Sequence, residues 1–139
     1  MKAMRLLVLC ASFCIAAAHA ADKTCTKADS AKAQKVIDAV VTWQQLYKAW
    51  SDYQHCDTGE VADLYTDALL RLAVDWKDAG VFAAAAQKDP QYKAFVFEHL
   101  KSPAAKDDRA TIRSRAKTMC PAGQDTFCGE LAEAMATAK

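Results

Sequence analysis

The stretch that most limits how this chain can fold is Cys56-Asp57-Thr58-Gly59-Glu60 and the apolar-periodic run that follows it to Trp76. Val61, Leu64, Tyr65, Ala68, Leu72 and Trp76 recur at helical spacing and form the buried stripe of an amphipathic helix. Asp57, with Glu60 three residues on, reads as a capping box that starts this helix. Upstream, Val36, Val40, Trp43, Tyr47 and Trp50, flanked by Ile37 and Leu46, predict another helix over 36–53. Residues 54–57 alone join the two, so the spacing makes them antiparallel neighbours with Cys56 at the corner. Whatever Cys56 bonds to is tied to that corner.

The partners open to Cys56 depend on compartment. Lys2 and Arg5, an apolar run over 6–17 and the small-x-small site Ala18-His19-Ala20 read as a signal peptide cleaved after Ala20. The apolar run is too short for a membrane span, and no second one of that length follows. Leu9 and Phe13 precede Cys10 and Cys14, where a lipid anchor needs a small residue. Residues 1–20 are thus the signal and 21–139 one domain, 119 residues long, expected in the periplasm without membrane insertion. Cys25, Cys56, Cys120 and Cys128 remain, an even number that reads as two disulfides in an exported chain.

Four cysteines allow three pairings. Cys120 and Cys128 bracket a tight turn and lie close together in any of them. An unbroken helix over 30–53 would hold Cys25 about 36 Å from Cys56, whereas a bridge needs Cα atoms within about 7 Å. Pairing them requires the regular helix to begin near Val36, with the preceding arm retracing its length of about 27 Å as extended chain. The cross pairings draw both N-terminal cysteines toward one turn. The preferred solution is Cys25 with Cys56 and Cys120 with Cys128.

The rest of the chain is also helical in pattern. Residues 21–29 read as polar and loose. After an interruption at Gly80, 81–88 predict a short alanine-rich helix. Asp89-Pro90 cap and start the next, which carries Tyr92, Phe95, Val96, His99 and Leu100 and ends at Ser102-Pro103. Asp107 or Asp108 caps a helix with Ile112, Ala116 and Met119 inside. Asp125 caps a last one holding Phe127, Cys128, Leu131 and Met135. No alternating run, repeat or low-complexity tract occurs. The expected fold is an all-α single bundle of about five to six helices stapled by two disulfides.

Chemistry-bearing clusters are few. Asp52, His55, Cys56 and Asp57 together are a metal-ligand set in composition, but a bridged Cys56 is no thiolate and no second ligand pair stands at finger spacing. His99 reads as a core or rim residue. There is no G-x-S-x-G elbow, no H-E-x-x-H and no glycine-rich phosphate loop. Acids sit at caps and on exposed faces instead of as an isolated pair in apolar surroundings. The expectation is therefore no catalytic residue, no metal and no cofactor.

Charge layout says more. The mature chain holds 16 basic and 17 acidic residues, so nothing selects a polyanion, and no nucleic-acid partner is expected. Residues 52–78 carry seven acids against Arg71 and Lys77, with Glu60, Asp63 and Asp67 on one helical face. Residues 101–117 carry six bases against Asp107 and Asp108, with Lys106, Arg109, Arg113 and Lys117 as a stripe. Such faces suit ordinary solvation, a homodimer, or docking on an oppositely charged protein. An aromatic that fails to fit the core would be an interface anchor.

Cys56-Asp57-x-Gly59-x-Val61-Ala62 with Tyr65, then Asp89-Pro90 with Phe95-Val96 and His99, then Cys120-Pro121, resembles a group of small exported helical proteins of proteobacteria. In size, signal peptide, helical pattern and disulfides the chain also resembles the immunity proteins that neutralise type VI secretion amidases in the periplasm. That resemblance of format implies a protein that binds and blocks a peptidoglycan-degrading toxin, often as a dimer. A non-inhibitory structural or accessory module of the envelope is the alternative, and an enzyme of unknown type the third.

Overall fold

The computed structural model describes residues 23–138; the expected signal peptide, its cleavage site, Cys10 and Cys14 lie outside them. The described residues form seven helices and no strand: α1 Lys27–Asp38, α2 Trp43–Tyr53, α3 Gly59–Asp75, α4 Ala79–Lys88, α5 Pro90–Lys101, α6 Arg109–Thr118 and α7 Asp125–Thr137. Short 3-10 turns, Gln54–Cys56 and Pro103–Ala105, fill two of the corners. The chain is all-α, as the periodicity required. Among these residues no helix is long and apolar enough to cross a membrane.

The expected helix over 36–53 is two helices with an elbow at 39–42. Val40-Val41-Thr42 is β-branched and stiff at χ1, which weakens the helix there. Thr42 then restarts it as an N-cap, its hydroxyl accepting from Gln45 N at 3.2 Å, while Gln45 Oε1 accepts from Val41 N at 2.9 Å. Val36, placed in the core by spacing, is 42% exposed as a result, and Ala33 and Ile37 carry the buried face of α1.

Cys25 is bonded to Cys56, with Cα atoms 4.9 Å apart, and Cys120 to Cys128, at 6.0 Å. Both are the preferred pairings. The route differs from the extended arm expected, because the returning segment is α1 itself. Thr26 and Asp29 close a capping box at its start: Asp29 N donates to Thr26 Oγ1 at 3.1 Å, and Thr26 N donates to Asp29 Oδ2 at 3.3 Å. α1 packs chiefly against α3 and α2.

α3 ends unusually. Trp76 takes a left-handed conformation (φ 61°) and so does Asp78 (φ 53°), positions where glycine is the ordinary occupant. Buried side-chain anchoring holds them. The Trp76 indole donates to Met119 O at 2.9 Å, and the Trp43 indole to Lys77 O at 2.9 Å. Trp43 in turn stacks on Phe82 of α4, ring centroids 4.2 Å apart. The interruption expected at Gly80 is therefore made by residues 76–78, and Gly80 falls inside the first turn of α4.

Asp89 and Pro90 start α5 as the sequence indicates, Asp89 Oδ1 accepting from Gln91 N and Tyr92 N. α6 and α7 make the most extensive helix pair, a hairpin closed by Cys120–Cys128. Ile112, Ala116, Phe127, Leu131 and Met135 are buried as expected, but Met119 is 53% exposed because α6 ends one residue before it. Asp108 occupies the cap position of α6 without a side-chain bond to it, and Gln124, not Asp125, precedes α7. Asp125 still favours that helix as an acid in its first turn.

Two measurements check these constraints. The Cys25–Cys56 bridge closes 31 residues and the other 8. By loop-closure entropy, C25S/C56S should lose about 3.7 kcal/mol and C120S/C128S about 2.5 kcal/mol in urea unfolding. The reverse order would contradict a loop-entropy origin. Thr26 holds the Asp29 carboxyl below its usual range, first through the hydroxyl bond and then through its backbone N–H. That depressed value stabilises the fold above the ordinary carboxylate range, and the contribution disappears as pH falls through it. Thr26→Ala should therefore lower the melting temperature at neutral pH, and the difference should narrow toward about pH 2, where only the loss of the pH-independent bond from Asp29 N to the Thr26 hydroxyl remains, as followed by circular dichroism.

Candidate functional site

The corner that carries Cys56 is also where the polar side chains converge. The expected capping box does not form there. Thr58 precedes α3 with no side-chain bond to it, and Glu60 turns away to accept from Gln34 Nε2 of α1 at 3.0 Å. Asp57 instead reaches α5, where its Oδ2 lies 3.1 Å from His99 Nε2. Gly59 opens α3 at φ 54°, which shifts the helix start past Asp57 and leaves that carboxylate beside the turn instead of over it.

His99 is bound at both nitrogens. Its Nδ1 lies 2.7 Å from Thr66 Oγ1, and that hydroxyl is also 3.0 Å from Ala62 O one turn back on α3. With the hydroxyl proton directed at Nδ1, the ring is the neutral tautomer that donates Nε2–H to Asp57. With it directed at Ala62 O, both ring nitrogens donate. Tyr65 and Phe95 flank the imidazole, centroids 6.1 and 4.6 Å away. The rim reading of His99 is correct, and its partners are what the spacing did not reveal: no sequence period links 57, 66 and 99.

The line runs from Asp57 through His99 to Thr66, an Asp–His–hydroxyl sequence in composition. Thr66 is only 7% exposed, so its hydroxyl lies within the packed contact between α3 and α5. What the line does is tie α3, α5 and the Cys56 corner into one unit. His55, in the 3-10 turn, adds a longer link to Asp29 of α1 at 3.9 Å. Cys56 Sγ is taken by Cys25, which removes the thiolate from the ligand set of Asp52, His55, Cys56 and Asp57.

Above this corner lies a groove of about 1170 Å³ between α2, the 3-10 turn and α5. Phe95 and the buried Trp50 line it together with Asp52, Asp57, Glu98 and His99. The wall is rigid by construction: Trp50, Tyr92 and Phe95 pack ring against ring, and Tyr65 donates its hydroxyl to Ala49 O at 2.9 Å beneath them. Burial raises the Tyr65 phenol well above its ordinary range, which keeps that donor protonated. Tyr47, 37% exposed at the edge of this cluster, is the surface aromatic, and its hydroxyl donates to Asp89 Oδ2 at 3.2 Å.

The two charged faces fare differently. Glu60, Asp63 and Asp67 are all exposed along α3, one turn and more beyond Asp57. Lys106, Arg113 and Lys117 are exposed, but Arg109 leaves the stripe. It is buried, with Nη2 donating to Lys101 O and Ser102 O at 2.7 Å each and Nη1 to Ala138 O at 3.1 Å. Those carbonyls end α5 and α7, so Arg109 serves as a shared C-terminal cap and is not part of the exposed stripe. Arg113 and Lys117 share a shallow depression with Asp125 and Glu133 of α7, which makes that surface mixed in sign. No family model, curated protein or solved structure matches this chain.

A double-mutant cycle distinguishes the observed role of Asp57 from a helix cap. Asp57→Ala and His99→Ala should each destabilise, with a coupling of about 1–3 kcal/mol in urea unfolding because they share one bond. Additive effects would return Asp57 to the cap.

Proposed function

We propose that this chain is an exported protein-binding module of the immunity or inhibitor kind, which blocks a secreted toxin such as a peptidoglycan amidase by docking on it. The observation that carries the reading is the exposed acidic stripe of Glu60, Asp63 and Asp67 on a helix whose start is fixed by a disulfide and by the Asp57–His99–Thr66 line. A binding face gains affinity when its side chains sit on backbone that is already ordered, since less entropy is lost on association. Fixed like charges also speed encounter with an oppositely charged surface and set register on it.

The two disulfides agree with an oxidising compartment, and the format of a small helical protein stapled twice resembles that of periplasmic immunity proteins. The buried hydroxyl beside His99 favours binding over chemistry. With Arg109 withdrawn, the basic side is the weaker half of any self-complementary pair, so the reading takes a different protein as partner in preference to a second copy.

Co-purification from the native periplasm with mass spectrometry, followed by an activity assay on whatever is recovered, tests the reading. A hydrolase that the purified chain inhibits supports it, whereas an envelope component bound without inhibition makes the chain an accessory module. Reversing Glu60, Asp63 and Asp67 to lysine should weaken capture at least about tenfold while leaving helix content within a few per cent, because exposed substitutions change stability little. Undiminished capture would reduce the stripe to ordinary solvated surface.

A further inference from the structure

We infer that Cys120–Cys128 is a thiol–disulfide exchange site open to a small thiol, and that its reduction releases the α3–α4 corner at Trp76. Each bridge has one half-buried sulfur bearer, Cys25 or Cys120, and one buried partner, Cys56 at 1% or Cys128 at 4% exposed. Attack therefore starts on the outer cysteine in both, and the setting of the departing thiolate separates them. Cys56 would depart into a packed corner, at the carbonyl end of α2 and its 3-10 turn and next to Asp57. Cys128 stands in the first turn of α7, its N–H bonded to Gln124 O at 3.0 Å, where the positive end of the helix favours a thiolate. Both Cys120 and Cys128 also line a depression of about 310 Å³ between α6 and α7. Arg113 and Lys117 of α6 and Asp125 and Glu133 of α7 line it too, all of them exposed.

The exchange runs in two steps. A thiolate from the depression attacks Cys120 Sγ and forms a mixed disulfide, and the bond to Cys128 breaks with its electron pair leaving on Cys128 Sγ. A second thiolate then attacks the sulfur of the small thiol, giving its disulfide and the Cys120 thiolate. Two reductant thiols are thereby oxidised to one disulfide, and the bridge is reduced to two protein thiols that take up the two protons released.

What the bridge holds lies on the far side of the turn. The Trp76 indole donates to Met119 O at 2.9 Å, and that carbonyl belongs to the planar peptide group that ends at Cys120 N. Fixing Cys120 therefore fixes the plane in which the acceptor lies. Pro121, the next residue, packs on Gly80 of α4, where an added Cβ would stand 3.6 Å from Pro121 Cβ. The turn thus grips the α3–α4 corner at Trp76 and at Gly80, and between them lie the two non-glycine residues in left-handed conformation, Trp76 and Asp78. Such residues relax when the support that over-determines them is withdrawn. α6 and α7 still pack along their lengths without the bridge, so the release is local to the turn and the corner.

The test exposes the oxidised protein to excess reduced glutathione at neutral pH, quenches with iodoacetamide and locates the labels by peptide mass spectrometry. Cys120 and Cys128 should open at least about tenfold faster than Cys25 and Cys56, with glutathione captured on Cys120 and not on Cys128. In 1H–15N NMR the Trp76 indole resonance should move on this reduction while those of Trp43 and Trp50 stay in place. C120S/C128S should reproduce that shift with its helix content kept; if this variant does not fold, the glutathione-reduced parent protein supplies the readout. No reaction with glutathione, equal rates at the two bridges, or earlier opening of Cys25–Cys56 would overturn the exchange site, and capture on Cys128 would overturn the direction of attack. An unmoved Trp76 indole, or loss of all three indole positions as the protein unfolds, would overturn the release of the corner.

Discussion

The bond between Cys25 and Cys56 is the constraint on which the rest of the arrangement depends. It brings the start of α1 to the end of α2, so the first two helices form a closed loop whose seam lies under the groove. Without it α1 would be held by its packing on α3 and α2, by the bond of Gln34 to Glu60 and by the longer link of Asp29 to His55. With it, the 3-10 turn Gln54–Cys56 cannot drift, and Asp57, the next residue, is placed within reach of α5. The polar line through His99 to Thr66 then locks α3 to α5 at the same place. Covalent closure and a buried polar network act on one corner, and each makes the other less costly to form, because the groups are ordered once.

Function in this account comes from what the corner presents. A binding face of carboxylates is of little use if its support moves, since ordering that support would consume the affinity the face provides. Here Trp50, Tyr92, Phe95 and Tyr65 are packed ring against ring, and the carboxylates that face solvent, Glu60, Asp63 and Asp67, stand on a well-formed helix. The same rigidity extends along α3 to its other end, where Trp76 is held in a left-handed conformation by its bond to Met119 O. A strained residue of that size persists only where its surroundings over-determine it.

Much of the fold was legible because it rests on local signals. Asp89-Pro90, the run from Val61 to Trp76, and Ile112 with Ala116 each state their helix within a few residues. The all-α class and the two pairings followed from periodicity and from reach. What was missed has two physical origins. One is a competing local signal: Thr26-x-x-Asp29 and Thr42-x-x-Gln45 are capping patterns as good as Asp57-x-x-Glu60, yet they sit in a polar arm and inside a continuous apolar period, so the period dominated the reading. The other is long-range partnership. Asp57 left its cap for His99, 42 residues away, and Arg109 left the basic stripe for the carbonyls that end α5 and α7. Neither choice has a sequence period, so neither the polar line under the groove nor the loss of Arg109 from the surface could be read before the helices were assembled.

The central claim is that the Cys56 corner is a rigid platform, and native-state amide hydrogen exchange measures that directly. In the oxidised protein, amides of residues 62–66 on α3 and 96–100 on α5 are predicted to exchange only through global unfolding, with opening free energies equal to the stability from urea unfolding. Exchange of these amides through a local opening well below the global value would contradict the account, because the groove and the acidic stripe would then stand on a corner that opens independently of the fold.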